Sequence, residues 1–404
     1  MTKILKHILY VIAVPITIGS LSACKTPYTP APITATSNYL VVEGLININD
    51  STFINLSRTV NLSSKTATKA ELKATVTIES NQGASYALKE LGKGVYAAAS
   101  FNLSAANQYR LRIKTATGNT YTSDFAPTMV SPPIDSITWK PTPTTLQICA
   151  NTHDPNNATR YYRWDYTEGW EFHSNYDSFW VSTGLTVRAR VLPAEQVWDC
   201  FGSDTSHVIN LGTSSQLSQD VISQQVINTI PASQEKIGIK YSIFVKQYAL
   251  TKDAYAYWTL LKKNTEQLGS VFDAQPSASI GNIHNINNAA EVVIGYISAG
   301  TITTNRIFIA KSQLPNWATI PFYTNCELTN LIARFPAPPG QKDHAWQDQF
   351  FNWLAPEFGG PTALLIPIDG FGQNSVVPDG WDGSMPVCVD CTLRGKSTPP
   401  AYWK

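Results

Sequence analysis

Short segments in which apolar and polar residues alternate recur along this chain of 404 residues, with turn signals between them. The clearest such segment is Ile237–Tyr248. Its alternate apolar residues share one face: Ile237, Ile239, Tyr241, Ile243 and Val245. Because successive side chains of a strand point to opposite sides, a period of two predicts a strand with one buried face. Repetition of this pattern predicts a mainly β protein.

The first third of the chain shows the pattern most regularly. Lys73–Glu79 and Tyr109–Lys114 alternate, and turns that contain Gly or Asn separate them from their neighbours. Short strands joined in this way predict an immunoglobulin-like β-sandwich at residues 37–130. The proline-containing segment Pro127–Pro133 then leads into a larger β-rich domain, predicted at 131–404.

One segment follows helical rather than strand periodicity. An apolar stripe repeats at helical spacing: Ala254, Trp258, Leu261 and Leu268. Thr251 precedes the stripe as a candidate N-cap, and Gly269 follows it as a stop signal. We therefore predict a helix at about 252–268.

Composition excludes two classes of protein. Lys and Arg together number 30, and Asp and Glu together number 29, so the net charge is +1. This balance argues against a nucleic-acid partner. Hydrophobic residues make up 43% of the chain and aromatic residues 11%, which excludes a disordered chain.

The N-terminus carries the features of a lipoprotein signal peptide. A positively charged start precedes the apolar segment Ile8–Ile18, which is too short to span a bilayer. Small residues then lead into Cys24 in the sequence Leu21-Ser22-Ala23-Cys24. We predict a signal peptide at 1–23 and lipidation of Cys24. The alternative is an ordinary secretory signal that is cut near Ala23.

The segment after Cys24 predicts where the anchor places the protein. Three prolines make residues 24–36 an extended tether, and the first acidic residue after the anchor is Glu43. Acidic residues directly after a lipidated Cys act as sorting signals in several Gram-negative groups. Their absence favours the outer membrane and, more weakly, its periplasmic leaflet.

The remaining cysteines predict disulfides. Cys149 lies in an alternating segment and is predicted to be a buried free thiol. Two bridges are predicted among the other four, with the pairing left open: Cys200, Cys326, Cys388 and Cys391. Cys388 and Cys391 form a CxxC pair, but it lies among prolines near the C-terminus, with no second cysteine pair. These surroundings disfavour a redox or zinc site.

Nine aromatic residues lie within residues 161–180. In 161–166 they alternate, which favours a core over an exposed surface that stacks on sugars or proteins. In 170–180 the spacing is irregular, and both a core and a contact surface remain open. The candidate contact residues are Trp170, Phe172, Tyr176, Phe179 and Trp180.

Motifs for catalysis are sparse. The chain has no HExxH and no GxSxG, and Gly395-Lys396-Ser397 lacks the first Gly of a phosphate loop. Asp343, His344, Asp348 and Glu357 form the densest acidic and imidazole group. A solvated face of a helix at about 341–354 explains them more simply than a hydrolase site. No metal or cofactor is expected.

Several short stretches, in order along the mature chain, resemble an uncharacterised lipoprotein family of the Bacteroidota, domain of unknown function four-two-four-nine. They are Leu40–Gly44, Pro133–Ile137, Tyr161–Trp164, Val245–Tyr248, Gly269–Asp273, Gln275-Pro276, Gly281-Asn282, Gly295-Tyr296 and Cys388–Gly395 with Pro400 and Trp403. The resemblance implies an outer-membrane lipoprotein with an N-terminal sandwich, often encoded beside TonB-dependent receptors. It implies no catalytic residue.

These observations lead to three hypotheses about function. The first is a lipid-anchored, non-enzymatic accessory protein that binds a TonB-dependent receptor or the substrate of that receptor. The second is a glycan- or peptide-binding lipoprotein that acts alone. The third is a hydrolase that uses the region from Asp343 to Glu357.

Overall fold

Strands form most of the regular structure in the computed structural model. It describes residues 38–60, 68–182, 187–266, 281–320, 322, 325–332, 365–371 and 380–404. Four features predicted from the sequence lie outside these residues: the signal peptide at 1–23, Cys24, the rest of the tether through residue 36, and the 341–357 region.

The first nine strands are β1 (Leu40–Asn47), β2 (Thr52–Arg58), β3 (Lys69–Ala70), β4 (Thr75–Ser80), β5 (Ser85–Gly92), β6 (Val95–Ala98), β7 (Gln108–Lys114), β8 (Thr120–Ser123) and β9 (Ala126–Met129). The next nine are β10 (Ile134–Pro141), β11 (Thr145–Asp154), β12 (Tyr161–His173), β13 (Trp180–Ser182), β14 (Val187–Ala189), β15 (Asp199–Thr205), β16 (Asn210–Thr213), β17 (Asp220–Pro231) and β18 (Lys240–Leu250). The others are β19 (Ile283–Asn285), β20 (Ser298–Gly300), β21 (Ile302–Ala310), β22 (Thr329–Ile332), β23 (Ile366–Phe371) and β24 (Gly380–Ser384). The α-helices among the described residues are α1 (Lys252–Glu266) and α2 (Pro386–Val389).

The mainly β fold is confirmed, but the first region is not a plain sandwich. Its strands follow the order β7-β4-β5-β6-β2-β1-β20-β9, and β9 also pairs with β7, so the sheet closes on itself. The closing strand β20 comes from the segment after α1 and runs parallel to both β1 and β9. A Cβ at Gly300 would overlap the carbonyl oxygen of Met129, so glycine permits this close pairing.

The second region has two packed sheets. Strands β15-β12-β18-β21 form one sheet and β10-β11-β17 the other. Their facing side chains form one core that includes Ile148, Trp164 and Ile243. Tyr39–Lys404 form one compact unit, and the predicted domain boundary between residues 130 and 131 stays a prediction.

Two predicted elements occur close to their expected limits. The predicted strand Ile237–Tyr248 corresponds to β18, although Ile237 lies in a single 3-10 turn before it. The helix α1 begins where predicted, and the Thr251 hydroxyl accepts a hydrogen bond from the Ala254 N–H at 3.1 Å. The described part of the helix ends at Glu266. No helix in the described ranges is both long and apolar enough to span a membrane.

Two disulfides are present near the C-terminus, as predicted. Cys200 pairs with Cys391, and Cys326 pairs with Cys388. Each cysteine of the CxxC is therefore bonded to a distant partner. Cys149 is the buried free thiol that the alternating pattern predicted.

Candidate functional site

A cleft lies between the closed sheet, the outer face of the β15-β12-β18-β21 sheet, and α1. One hollow of about 480 Å³ reaches from β1 to α1. A second hollow, of about 420 Å³, reaches toward residues 205–209. Both are lined by the same five residues: Arg163, Asp165, Lys246, Tyr248 and Trp258. We call these five residues the cleft centre.

Strand register positions four of the five. In β12 the even-numbered residues 162, 164 and 166 point into the core, so Arg163 and Asp165 point outward. Arg163 pairs with Tyr248, and Asp165 pairs with Lys246, on the neighbouring strand β18. The four side chains therefore lie as two adjacent cross-strand pairs on one face.

Arg163 is held between two aromatic rings. Its guanidinium carbon lies 4.4 Å from the centre of the Tyr248 ring and 4.1 Å from that of Trp258. Its Nη2 donates to Asp165 Oδ2 at 3.0 Å, and only 16% of its side chain is exposed. Its Nε is buried without a hydrogen-bond partner in the structure. Stacking fixes the plane of this cation and thus the direction of its donors.

Lys246 gives the cleft an exposed positive charge. Its side chain is exposed and makes no hydrogen bond or ion pair with any residue that the structure describes. The neighbouring Tyr248 is buried, and burial together with the charge of Asp165 raises the pKa of its hydroxyl. The hydroxyl is therefore neutral at pH 7 and can donate a hydrogen bond.

The opposite wall comes from the segment that runs along β1. A Cβ at Gly295, whose φ is +136°, would overlap the carbonyl oxygen of Val42, so glycine permits this approach. The approach brings the Tyr296 ring within 5.3 Å of the Tyr257 ring on α1. Burial raises the pKa of both hydroxyls, so these side chains are neutral aromatic surface.

This arrangement suits binding of a ligand. The hollow lies within the range of about 300–1,000 Å³ that is usual for ligand sites. Aromatic rings offer flat apolar surface, and Lys246 offers an available charge. Stacking of Arg163 fixes the geometry before a ligand arrives, which lowers the entropy lost on binding.

The predicted contact residues of 170–180 lie outside this cleft. Phe172 is 2% exposed and packs against Cys200 and Cys391, so it belongs to a small core and not to a contact surface. Lys236 lies 4.7 Å above the half-buried Trp170 ring.

The other three differ in exposure. Tyr176 is half-buried, and its hydroxyl donates to the carbonyl oxygen of Cys326 at 2.8 Å. Trp180 begins β13 and is also half-buried, whereas Phe179 is 55% exposed. Only Phe179 of the five therefore offers a largely free side chain.

The structure also groups three side chains that the sequence did not connect. The ligand atoms of Glu171, His173 and Asp199 lie within 4.8 Å of one another. His173 and Asp199 face each other across β12 and β15, with Nε2 3.5 Å from Oδ1. This is the geometry of a partly exposed ion pair.

Sequence reasoning missed the cleft itself. It placed Trp258 in the apolar stripe of a helix and favoured a core for 161–166. One signal was present: four stretches that carry the family resemblance contribute residues to the cleft, namely Leu40–Gly44, Tyr161–Trp164, Val245–Tyr248 and Gly295-Tyr296.

Comparisons with known proteins identify a family but no function. A family model described as "Domain of unknown function (DUF4249)" matches residues 25–306. Among curated proteins, none matches this chain. A two-domain fibronectin type-III segment of chicken tenascin matches at 11% identity and a TM-score of 0.16, over 53% of this chain and 92% of that one. A DUF4785 family protein from Legionella pneumophila matches at 9% identity and a TM-score of 0.18, over 52% of each chain.

Proposed function

This chain belongs to the DUF4249 family, and we propose that it is a lipid-anchored outer-membrane binding protein that works with a TonB-dependent receptor in nutrient uptake. In this proposal Cys24 carries the lipid, and the cleft centre holds the ligand or presents it to the receptor. The protein acts by binding and not by catalysis.

The cleft is the observation that carries this proposal. Arg163 is already fixed between two rings, and Lys246 adds an exposed positive charge beside it. A site of this kind can discriminate ligands by charge and shape without a reaction. The membrane anchor is supported by the sequence Leu21-Ser22-Ala23-Cys24, and the receptor partnership by the family resemblance alone.

A native pull-down tests the partnership. The tagged protein is extracted from the host outer membrane in mild detergent, and copurifying proteins are identified by mass spectrometry. We expect a TonB-dependent receptor in stoichiometric amount. A Cys24→Ser variant should leave the membrane fraction and lose this partner. A protein that purifies alone even after mild cross-linking would contradict the partnership.

Two further variants separate the role of the cleft from that of the exposed Phe179. Trp258→Ala removes one ring from Arg163 and should abolish retention of any small ligand detected by native mass spectrometry. Phe179→Ser changes the exposed ring outside the cleft and should leave ligand retention intact. If only Phe179→Ser loses the receptor, the surface around Phe179 is the receptor contact and the cleft serves the ligand.

The same cleft supports a second candidate function, a glycan- or peptide-binding lipoprotein that needs no receptor. The aromatic surface of Tyr257, Trp258 and Tyr296 favours it, because stacking on rings is independent of a partner protein. Ligand retention by a protein that purifies without a receptor would select this alternative.

A further inference from the structure

A second arginine on the same outer face repeats the arrangement at Arg163. The guanidinium carbon of Arg306 on β21 lies 4.8 Å from the centre of the Phe244 ring and 3.7 Å from that of Tyr402. Its Nη1 donates to Ser242 Oγ at 2.9 Å. Each arginine thus lies between a ring of β18 and a ring from outside the sheet. For Arg163 the outside ring is on α1, and for Arg306 it is in the C-terminal tail.

Strand register places Lys246 between these two arginines. Lys246 pairs with Asp165 on β12 and with Thr304 on β21. Arg163 lies two residues before Asp165 on β12, and Arg306 lies two residues after Thr304 on β21. Because β12 and β21 both run antiparallel to β18, the two arginines lie on opposite sides of Lys246 along the strand direction. The three cations therefore follow a diagonal across three neighbouring strands, with steps of about 7–8 Å.

Positive charge exceeds negative charge along this diagonal. Nine outward positions surround it: Arg163, Asp165, Thr167, Phe244, Lys246, Tyr248, Ile302, Thr304 and Arg306. Asp165 is the only carboxylate among them, and it pairs with Arg163. Arg306 has no ion pair with a described residue, and its partial burial lowers the pKa of its guanidinium. Three cations therefore face one carboxylate at these nine positions. Glu43 on β1 adds a second carboxylate to the lining of the cleft, which leaves an excess of one positive charge among these described residues.

Resting on the proposed function, we propose that this diagonal binds an extended acidic peptide whose carboxylates, two residues apart, pair with Arg163, Lys246 and Arg306. Alternate residues of an extended peptide lie on one side, about 6.6–6.8 Å apart. That repeat is close to the diagonal step between the cations. The rings of Trp258 and Tyr402 lie at the two ends, where they can cover the apolar stems of the outer side chains.

Calorimetric titration of the full mature chain tests this assignment. The probe is a blocked five-residue peptide with Glu at positions one, three and five and Ser between them. Matched peptides carry Gln or Lys in place of Glu, and an oligogalacturonate supplies the same charge on a sugar chain. We expect only the Glu peptide to bind. Its affinity should fall at least tenfold when the ionic strength rises from about 0.05 M to about 0.5 M.

Variants locate the binding. Lys246→Glu reverses the central charge and should lower the affinity for the Glu peptide at least tenfold. Arg306→Gln should lower this affinity by a similar factor. Lys89→Glu makes the same charge change at an exposed position of β5 and should leave affinity unchanged. Because Lys246 is exposed and makes no ion pair with a described residue, its variant should fold, which circular dichroism verifies.

Three results would overturn the assignment. They are equal affinity for the Glu and Gln peptides, binding of the oligogalacturonate without the Glu peptide, and full affinity in Lys246→Glu. None of them affects the receptor pull-down, so failure of the peptide assignment is distinguishable from failure of the proposed function.

Discussion

The two faces of β12 differ in where their side chains find partners. On the inner face, Trp164 is fully buried, and its indole N–H donates to Gln247 Oε1 on the adjacent strand at 2.9 Å. On the outer face, Arg163 depends on Trp258, a residue of a helix that packs on the sheet. Side chains of the inner face therefore find their partners within the packed sheets. Side chains of the outer face find theirs on elements that cross the sheet. Stability should depend on the first face and binding on the second.

Trp164→Ala should produce the largest loss of stability. It removes a fully buried indole and leaves the Oε1 of the buried Gln247 without its donor. We expect the free energy of unfolding to fall by about 3–5 kcal/mol, measured by urea denaturation. A loss below about 1 kcal/mol would show that the inner face does not determine stability.

Removal of the Cys200–Cys391 bridge should have the next largest effect. The bridge ties β15, the neighbour of β12, to the C-terminal segment that carries Tyr402. Cys200→Ser with Cys391→Ser should lower the free energy of unfolding by about 2–4 kcal/mol. Urea denaturation of the double variant and the wild type under non-reducing conditions measures the loss. Equal midpoints would contradict the prediction.

Substitution of Asp154, the last residue of β11, should have a smaller effect on stability, and this effect should depend on pH. Burial alone would raise the pKa of its carboxyl, but N–H donors of Asn156, Ala158 and Thr159 outweigh burial and lower it. The stabilisation is present above the unfolded pKa of about 3.9 and is lost as pH falls through the lower folded value. Asp154→Asn should cost about 1–2 kcal/mol at pH 7.

Unfolding measured from pH 7 down to pH 2 checks the sign of this effect. The difference between the Asp154→Asn variant and the wild type should shrink steadily below about pH 4. A difference that grows as pH falls would show that burial, and not the three N–H donors, dominates the pKa of this carboxyl.

Lys246→Ala should have the smallest effect on stability, because its side chain lies on the outer face. The side chain is exposed and unpaired among the described residues, so the free energy of unfolding should change by less than about 0.5 kcal/mol. Ligand binding should nevertheless weaken, because the central cation is lost. A loss of stability similar to that of Trp164→Ala would mean that Lys246 has a structural role.

Local pattern predicted the inner face and failed for the outer one. Alternation alone places Tyr162 and Trp164 in a core, because a strand has a fixed period of two. The cleft needed Arg163 and Trp258, which are distant in sequence and meet only after α1 folds onto the sheet. Capping at Thr251 predicted where that helix begins and not what it covers.

Long-range pairing explains the other differences. Closure of the first sheet depends on β20 meeting β1 and β9 from far along the chain, and short strands of this kind carry little local signal. Four cysteines allow three pairings, so the sequence predicts that two bridges form but not which cysteines pair. Because the aromatic spacing in 170–180 is irregular, the sequence did not decide whether Phe172 is buried or exposed. Phe172 packs against Cys200 and Cys391, so its burial follows from the bridge between them.

Site-specific photo-crosslinking in host cells tests the central claim, that the outer face of β12 and β18 is where this protein binds. A photoreactive residue replaces Lys246 in one strain and Lys89, exposed on β5, in another. We expect an ultraviolet-dependent adduct at position 246 that is absent at position 89 and is lost when Trp258→Ala is added. Equal adducts at both positions, or adducts at 89 alone, would contradict it.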